Sequence, residues 1–246
     1  MIAKFSEAFR LLRRHLGLFS AIILTVWLPG NILLESVAYY VNATDDTNLL
    51  HTVRASMWIE TIFGPIYVAA LVYALFEIKH GRSVSYKEAM AVGFRKWGPL
   101  IGARFFAGML IALGLVALVI PGIVLIVRYS LLDAVVVLER RNLVTNPRDR
   151  SAALTSGRRW QIFWAGMLFF PAFLAASLAL NLPAALIEPL NIMPVQVLLD
   201  CVSDIIYAII QIFIFLFYWE ATSDERRTTS DAPPSGDPAT LAASAP

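Results

Sequence analysis

The sequence predicts an all-α, polytopic membrane protein with six transmembrane helices, arranged as three repeats of a basic interfacial helix plus a transmembrane hairpin. Composition is the first reason. Hydrophobic residues make up 58% of the 246, charged residues only 15%, and mean hydropathy is +0.67; a soluble domain of this size could not solvate such a surface. Segment length is the second. Six stretches reach the roughly 20 apolar residues that a bilayer crossing needs: 16–41, 56–77, 97–119, 121–139, 160–182 and 195–219. The third is a recurrence. Short basic amphipathic stretches, SEAFRLLRRH at 6–15, SYKEAMAVGFRKW at 85–97 and DRSAALTSGRRW at 149–160, each run straight into an apolar segment.

Taken in order, Phe5, Phe9 and Leu12 share one face of the first stretch, with Lys4, Arg10, Arg13 and Arg14 around them. Such helices lie in the headgroup plane. Pro29-Gly30 is expected to kink the first span. Ser85 and Glu88 form a capping box before the second basic stretch. Gly98 and Gly102 have the GxxxG spacing that permits close helix packing at the start of the third span. Ile120-Pro121-Gly122-Ile123 is a very short turn, which forces the third and fourth spans into an antiparallel hairpin. Asn146, Pro147 and Asp149 read as N-cap, first helical position and first-turn acid. Aligned on Arg95-Lys96-Trp97, Arg158-Arg159-Trp160 and Arg13-Arg14-His15, the three copies span about 1–77, 83–139 and 147–219, with Ala8, Ala89 and Ala152 in comparable places. Residues 1–220 are the membrane domain; 221–246, polar and Pro-rich, are expected to be a disordered tail.

Orientation follows from counting. Stretches 1–15, 78–96, 140–159 and 220–246 hold 17 of the 20 Lys and Arg, and the opposite loops hold only Arg54. Both termini are therefore expected to be cytoplasmic. Residues 4–38 also have the layout of a signal peptide, but the same basic-then-apolar unit recurs twice internally, so the first span reads as the first repeat.

Ionisable residues inside the spans are the functional candidates. At 1.5 Å per residue, Arg104 and Asp133 lie at similar depth in one hairpin and are expected to pair. Arg128 is expected to pair with one or both of Asp200 and Asp204, which with Tyr207 and Gln211 form one stripe of the sixth span. Two readings stand side by side. The charges neutralise one another and fix helix register, or they line a polar cavity for a small solute, a proton or a lipid headgroup. The basic flanks likewise read as topology signals or as a headgroup site formed by Arg13, Arg14, Arg95, Lys96, Trp97, Arg158, Arg159 and Trp160.

Catalytic patterns are absent from the sequence. His15, His51 and His80 are scattered, Cys201 is the single cysteine, and there is no G-x-S-x-G or P-loop. No metal, cofactor or nucleic acid is expected; membrane lipids with anionic headgroups are the expected partners. The leading reading is a non-enzymatic membrane module, an accessory, scaffold or lipid-associated protein. The alternative is a carrier using the Arg128, Asp200 and Asp204 cluster.

Ile120-Pro121-Gly122-Ile123, Arg128, Val135-Val136-Val137-Leu138-Glu139, Arg150-Ser151-Ala152-Ala153-Leu154 and Gly157-Arg158-Arg159-Trp160 together carry a likeness. On them the chain resembles the membrane domain attached to some bacterial glycerophosphoryl diester phosphodiesterases and the related YciC-like integral membrane proteins. The resemblance implies six spans and a bacterial inner membrane. It does not imply hydrolysis: that family's catalytic barrel is a separate soluble domain with a histidine-arginine-glycine start, and the string Lys79-His80-Gly81-Arg82 has another order and context.

Overall fold

The computed structural model describes residues 2–42, 48–139, 146–186 and 192–230. Among them the chain is helical: α1 (Ile2–Arg14), α2 (Leu16–Asn42), α3 (Asn48–Lys79), α4 (Tyr86–Ala117), α5 (Val119–Tyr129), α6 (Leu132–Leu138), α7 (Pro147–Leu154), α8 (Arg159–Leu186) and α9 (Met193–Ser230). Among the described residues six segments are long and apolar enough to cross a membrane: Leu16–Val37, Ser56–Lys79, Tyr86–Ala117, Val119–Leu138, Arg159–Pro183 and Met193–Thr228. The protein is an all-α, multi-pass membrane protein.

Helix α3 is the centre. From Ile66 to Leu75 almost every side chain is buried, because α2, α4, α6 and α9 surround it. The core joins Phe19, Ile22 and Ile23 of α2 to Leu71 and Leu75 of α3 and Phe215 and Phe217 of α9. Helices α4 and α8 are peripheral and expose most of their apolar surface. In lipid that exposure is the solvated state, and packing rests on van der Waals fit and polar contacts rather than on removal from water.

Glycines set the closest approaches, though not those that the spacing suggests. A Cβ on Gly98 or Gly102 would meet nothing within 4 Å, so the GxxxG pair is not a packing surface. Gly93 is: its Cβ would lie 2.7 Å from the Ile66 carbonyl oxygen. A Cβ on Gly114 would lie 3.1 Å from Gly122 Cα, and one on Gly122 would lie 2.8 Å from the Leu115 nitrogen, so these two glycines set the α4–α5 hairpin. Its turn is the single extended residue Leu118 (φ −163°), earlier than expected. Pro121 falls in the first turn of α5, where no helical partner for its missing N–H is required.

The basic stretches do not form three equivalent surface helices. Only α1 is a separate, largely exposed basic helix; its buried face is Ala8 and Leu12, while Phe5 and Phe9 stay outside. The second stretch, 85–97, is the capped beginning of α4 itself, continuous with the span. The third forms short α7, capped by Asn146, and packs into the bundle with Ser151 and Thr155 fully buried. Ala8, Ala89 and Ala152 are all buried. The fourth span also divides. Ser130 Oγ donates to the Val127 carbonyl at 2.9 Å and Leu131 leaves helical geometry, separating α5 from α6.

The boundary of the tail moves. Residues 221–230, expected to be disordered, continue α9 to Ser230; 231–246 lie outside the described residues. Ion pairs hold the extension without an apolar face. Arg150 donates to Glu225 at 2.7 and 2.8 Å and to Glu139 at 3.0 Å, and Arg158 pairs with Asp224. Hydrogen bonding to Glu225 and then Glu139 holds the Arg150 guanidinium above its ordinary pKa range. At the same end Lys4 of α1 reaches Glu220 (2.5 Å) and Lys79 of α3 reaches Glu7 (2.7 Å). His80, in the string Lys79-His80-Gly81-Arg82, caps α3. Gly81 takes φ +72°, its N–H donates to Ile78 and that of Arg82 to Glu77, which closes the helix.

Candidate functional site

A polar layer crosses the bundle within the apolar segments. Arg104 of α4 and Asp133 of α6 form a two-pronged pair, Nε to Oδ1 at 2.9 Å and Nη2 to Oδ2 at 2.6 Å. The α5–α6 break does not prevent this, because α6 alone runs back along the first half of α4. Two further contacts fix that register. Lys96 Nζ donates to the Val136 carbonyl (2.9 Å), and Trp97 Nε1 donates to the Ile62 carbonyl of α3 (2.6 Å).

On the far side of α3, Asp204 of α9 accepts a hydrogen bond from Asn31 Nδ2 of α2 at 2.9 Å. The same amide lies 3.7 Å from Cys201 Sγ, and Cys201 is 5% exposed. Asn31, itself 4% exposed, was not among the sequence candidates. Its signal was an amide inside an apolar span, which requires a polar partner there. Asp200 is half-buried and in electrostatic range of Glu35. Tyr207 sets its ring against Phe173 of α8, centroids 5.3 Å apart, and Gln211 is half-buried one turn on. Buried Tyr67 of α3 lies in range of both Arg104 and Asp204, so the two groups belong to one layer.

Arg128 is not part of it. Neither Asp200 nor Asp204 meets its guanidinium, which has no hydrogen-bond or ion-pair partner among the described residues; its Nε is buried. Depth arithmetic failed here because it treats the fourth span as one rod standing upright beside the sixth. The break at Ser130–Leu131 frees α5 to lean on α7 and α8 instead. Ser151 Oγ of α7 donates to the Arg128 carbonyl (2.9 Å), and neighbouring Val127 shares a groove with Phe213 and Phe217. Phe213 is nine residues past Asp204, about 13 Å of helix.

The predicted headgroup residues divide in the same way. Arg13, Arg14, Arg95, Arg159 and Trp160 are exposed, Trp160 to 73%. Lys96, Trp97 and Arg158 are instead taken by protein partners: Val136, Ile62, and Asp224 with Glu220. Sequence alone did not show these acceptors: two are backbone carbonyls, Asp224 lies in the stretch read as disordered, and Glu220 stands at the last position before it.

The buried state of Cys201 makes a direct prediction. A membrane-impermeant maleimide should label it only after denaturation, with Cys201→Ala as blank. Rapid labelling of the folded protein would mean that water reaches the Asn31–Asp204 contact.

Compared with family models, with curated proteins and with solved structures, the chain matches none, so its functional reading rests on this geometry.

Proposed function

We propose that the protein is an integral inner-membrane scaffold or accessory module without enzymatic activity of its own. Its basic end faces the cytoplasm against anionic headgroups. The observation that carries the reading is that two sets of intramembrane polar groups are committed to each other across helices. Arg104–Asp133 joins α4 to α6, and Asn31–Asp204 joins α2 to α9. These are contacts that fix which helices adjoin and in what register, at the positions where a carrier would need groups free to exchange partners. The likeness to the membrane domain of the phosphodiesterase family supports an accessory module, since there the hydrolase is a separate domain. Exposed Arg13, Arg14 and Arg95 support the lipid-facing end, each cation near an anionic leaflet contributing about 1 kcal/mol.

A carrier built on Arg128, Asp200 and Asp204 is disfavoured because Arg128 meets neither aspartate. Asp204 separates the readings. Asn at this position still offers Asn31 an acceptor, so Asp204→Asn should leave abundance and melting nearly unchanged. Asp204→Leu strands the buried amide and should cost about 1–3 kcal/mol. Both are read by thermal unfolding in detergent. If Asn and Leu prove equally harmless, the contact is not a structural tie and the scaffold reading loses its main support.

A further inference from the structure

Gly98 and Gly102 have the spacing of a packing surface but no helix lies against them. Gly102 lines a cavity of about 540 Å³ instead, bounded by α4, α6 and the start of α7. The cavity lies at the end of the bundle that the distribution of Lys and Arg assigns to the cytoplasm. Phe106 and Val135 give it apolar walls, and Lys96, Asn146 and Arg148 give it a polar side. Phe106 is also 54% exposed on the peripheral helix α4, so the rim of the cavity meets the surface that lipid covers.

Both cations in the lining keep donors in reserve. Lys96 uses one of its three ammonium donors on the Val136 carbonyl (2.9 Å). Arg148 holds its guanidinium carbon 5.9 Å from the centre of the Phe106 ring and commits only Nε, to Asn146 Oδ1 at 3.4 Å. Neither cation forms an ion pair among the described residues. The neighbouring acids are already occupied. Glu139, which lines the cavity, accepts Arg150 Nε at 3.0 and 3.1 Å and the Tyr218 hydroxyl at 3.4 Å. Asp149 accepts the Asn146 amide at 2.8 Å. Residues 140–145, which join α6 to α7, include no acid.

We propose that this cavity binds the phosphate-bearing headgroup of an anionic phospholipid, with Lys96 and Arg148 donating to headgroup oxygens and the start of an acyl chain lying over Phe106. Basic pockets between spans on the cytoplasmic side suit anionic headgroups, and an arginine fork and a lysine ammonium both suit phosphate oxygens. The proposal rests on the lipid-associated reading above and gives it a built site in place of a basic surface. Inorganic phosphate offers the same oxygens but nothing for the apolar walls.

The test is selective lipid binding by the full-length protein. Purified in mild detergent and delipidated, it is offered mixed micelles of phosphatidylglycerol and phosphatidylcholine, and retained lipid is counted by mass spectrometry. Wild type should retain phosphatidylglycerol preferentially. Arg148→Gln should lower that retention about tenfold, as expected for loss of charge-assisted hydrogen bonds. Gly102→Leu, which fills the cavity and leaves every charge in place, should lower it as far, while Arg13→Gln/Arg14→Gln should match wild type. Melting curves show that the variants are folded. Delipidated Gly102→Leu should melt no lower than wild type, since its side chain enters open space and Leu is the better helix former, and it should lose the upward shift that phosphatidylglycerol gives wild type. Full retention in Gly102→Leu with loss in Arg148→Gln would overturn the cavity as the place of binding. Unchanged retention in both, with loss in Arg13→Gln/Arg14→Gln, would overturn the site and leave general lipid association standing. No preference for the anionic lipid in any variant would overturn both. Stabilisation by inorganic phosphate alone, equal to that by the lipid, would overturn the lipid as occupant.

Discussion

Asp133→Leu should destabilise the protein by about 3 kcal/mol, because it leaves the Arg104 guanidinium unpaired inside the apolar layer. Arg104→Leu should cost a similar amount by stranding the carboxylate. The double variant Arg104→Leu/Asp133→Leu should recover to within about 1 kcal/mol of wild type, since removing both charges removes the desolvation cost together with the attraction. Unfolding in detergent micelles gives the three free energies and their coupling. Additive losses in the double variant would mean that the residues act separately and that the pair does not hold α6 on α4.

Gly93→Ala should be nearly as damaging, by about 2–3 kcal/mol. The added methyl would sit 2.7 Å from the Ile66 carbonyl oxygen and 3.2 Å from Ala70 Cβ. Neither neighbour is the free end of a flexible side chain, so α3 and α4 must move apart. Their separation would also disturb Trp97 on the Ile62 carbonyl, one turn further along. Gly98→Ala and Gly102→Ala should instead be neutral or stabilising by about 0.5–1 kcal/mol, because both positions open onto empty space and Ala is the better helix former. Melting curves of the three alanine variants decide the matter. A harmless Gly93→Ala would contradict the close crossing.

These contrasts show how far the residues speak for themselves. Span number and the capping of α4 and α7 were legible, because they depend on local hydropathy and on side chains within a turn of each other. Arg104 and Asp133 could be matched because a short hairpin makes depth a good proxy for distance. Arg128 could not be placed, because Ser130 bonds back to its own helix and breaks the rod on which the depth estimate relied. Gly93 was hidden for a different reason. Its role depends on which helix crosses it, and the spacing rule drew attention to Gly98 and Gly102. Asn31 follows Pro29-Gly30, the pair read as a kink, and was not itself singled out. Helix α2 runs on through Pro29, and the amide is the tie to α9. The extension of α9 was missed because its register is set by arginines far away in sequence rather than by apolar periodicity.

The fastening of α9 to α1 and α2 bears on how the chain is assembled as it leaves the ribosome. Among the described helices α9 is made last, yet it supplies Phe215 and Phe217 to the core that contains Phe19, and Glu220 to Lys4. Spans inserted earlier must therefore wait, with Asn31 unbonded and the inner face of α2 open to lipid or to helper proteins. The slow and quality-limiting step is then the final closure, in which the two ends of the described chain find each other across some 200 residues. A chain cut before Met193 would lack both the Asn31 acceptor and the Lys4 acid, and degradation of such fragments in the cell should be far faster than that of the whole protein.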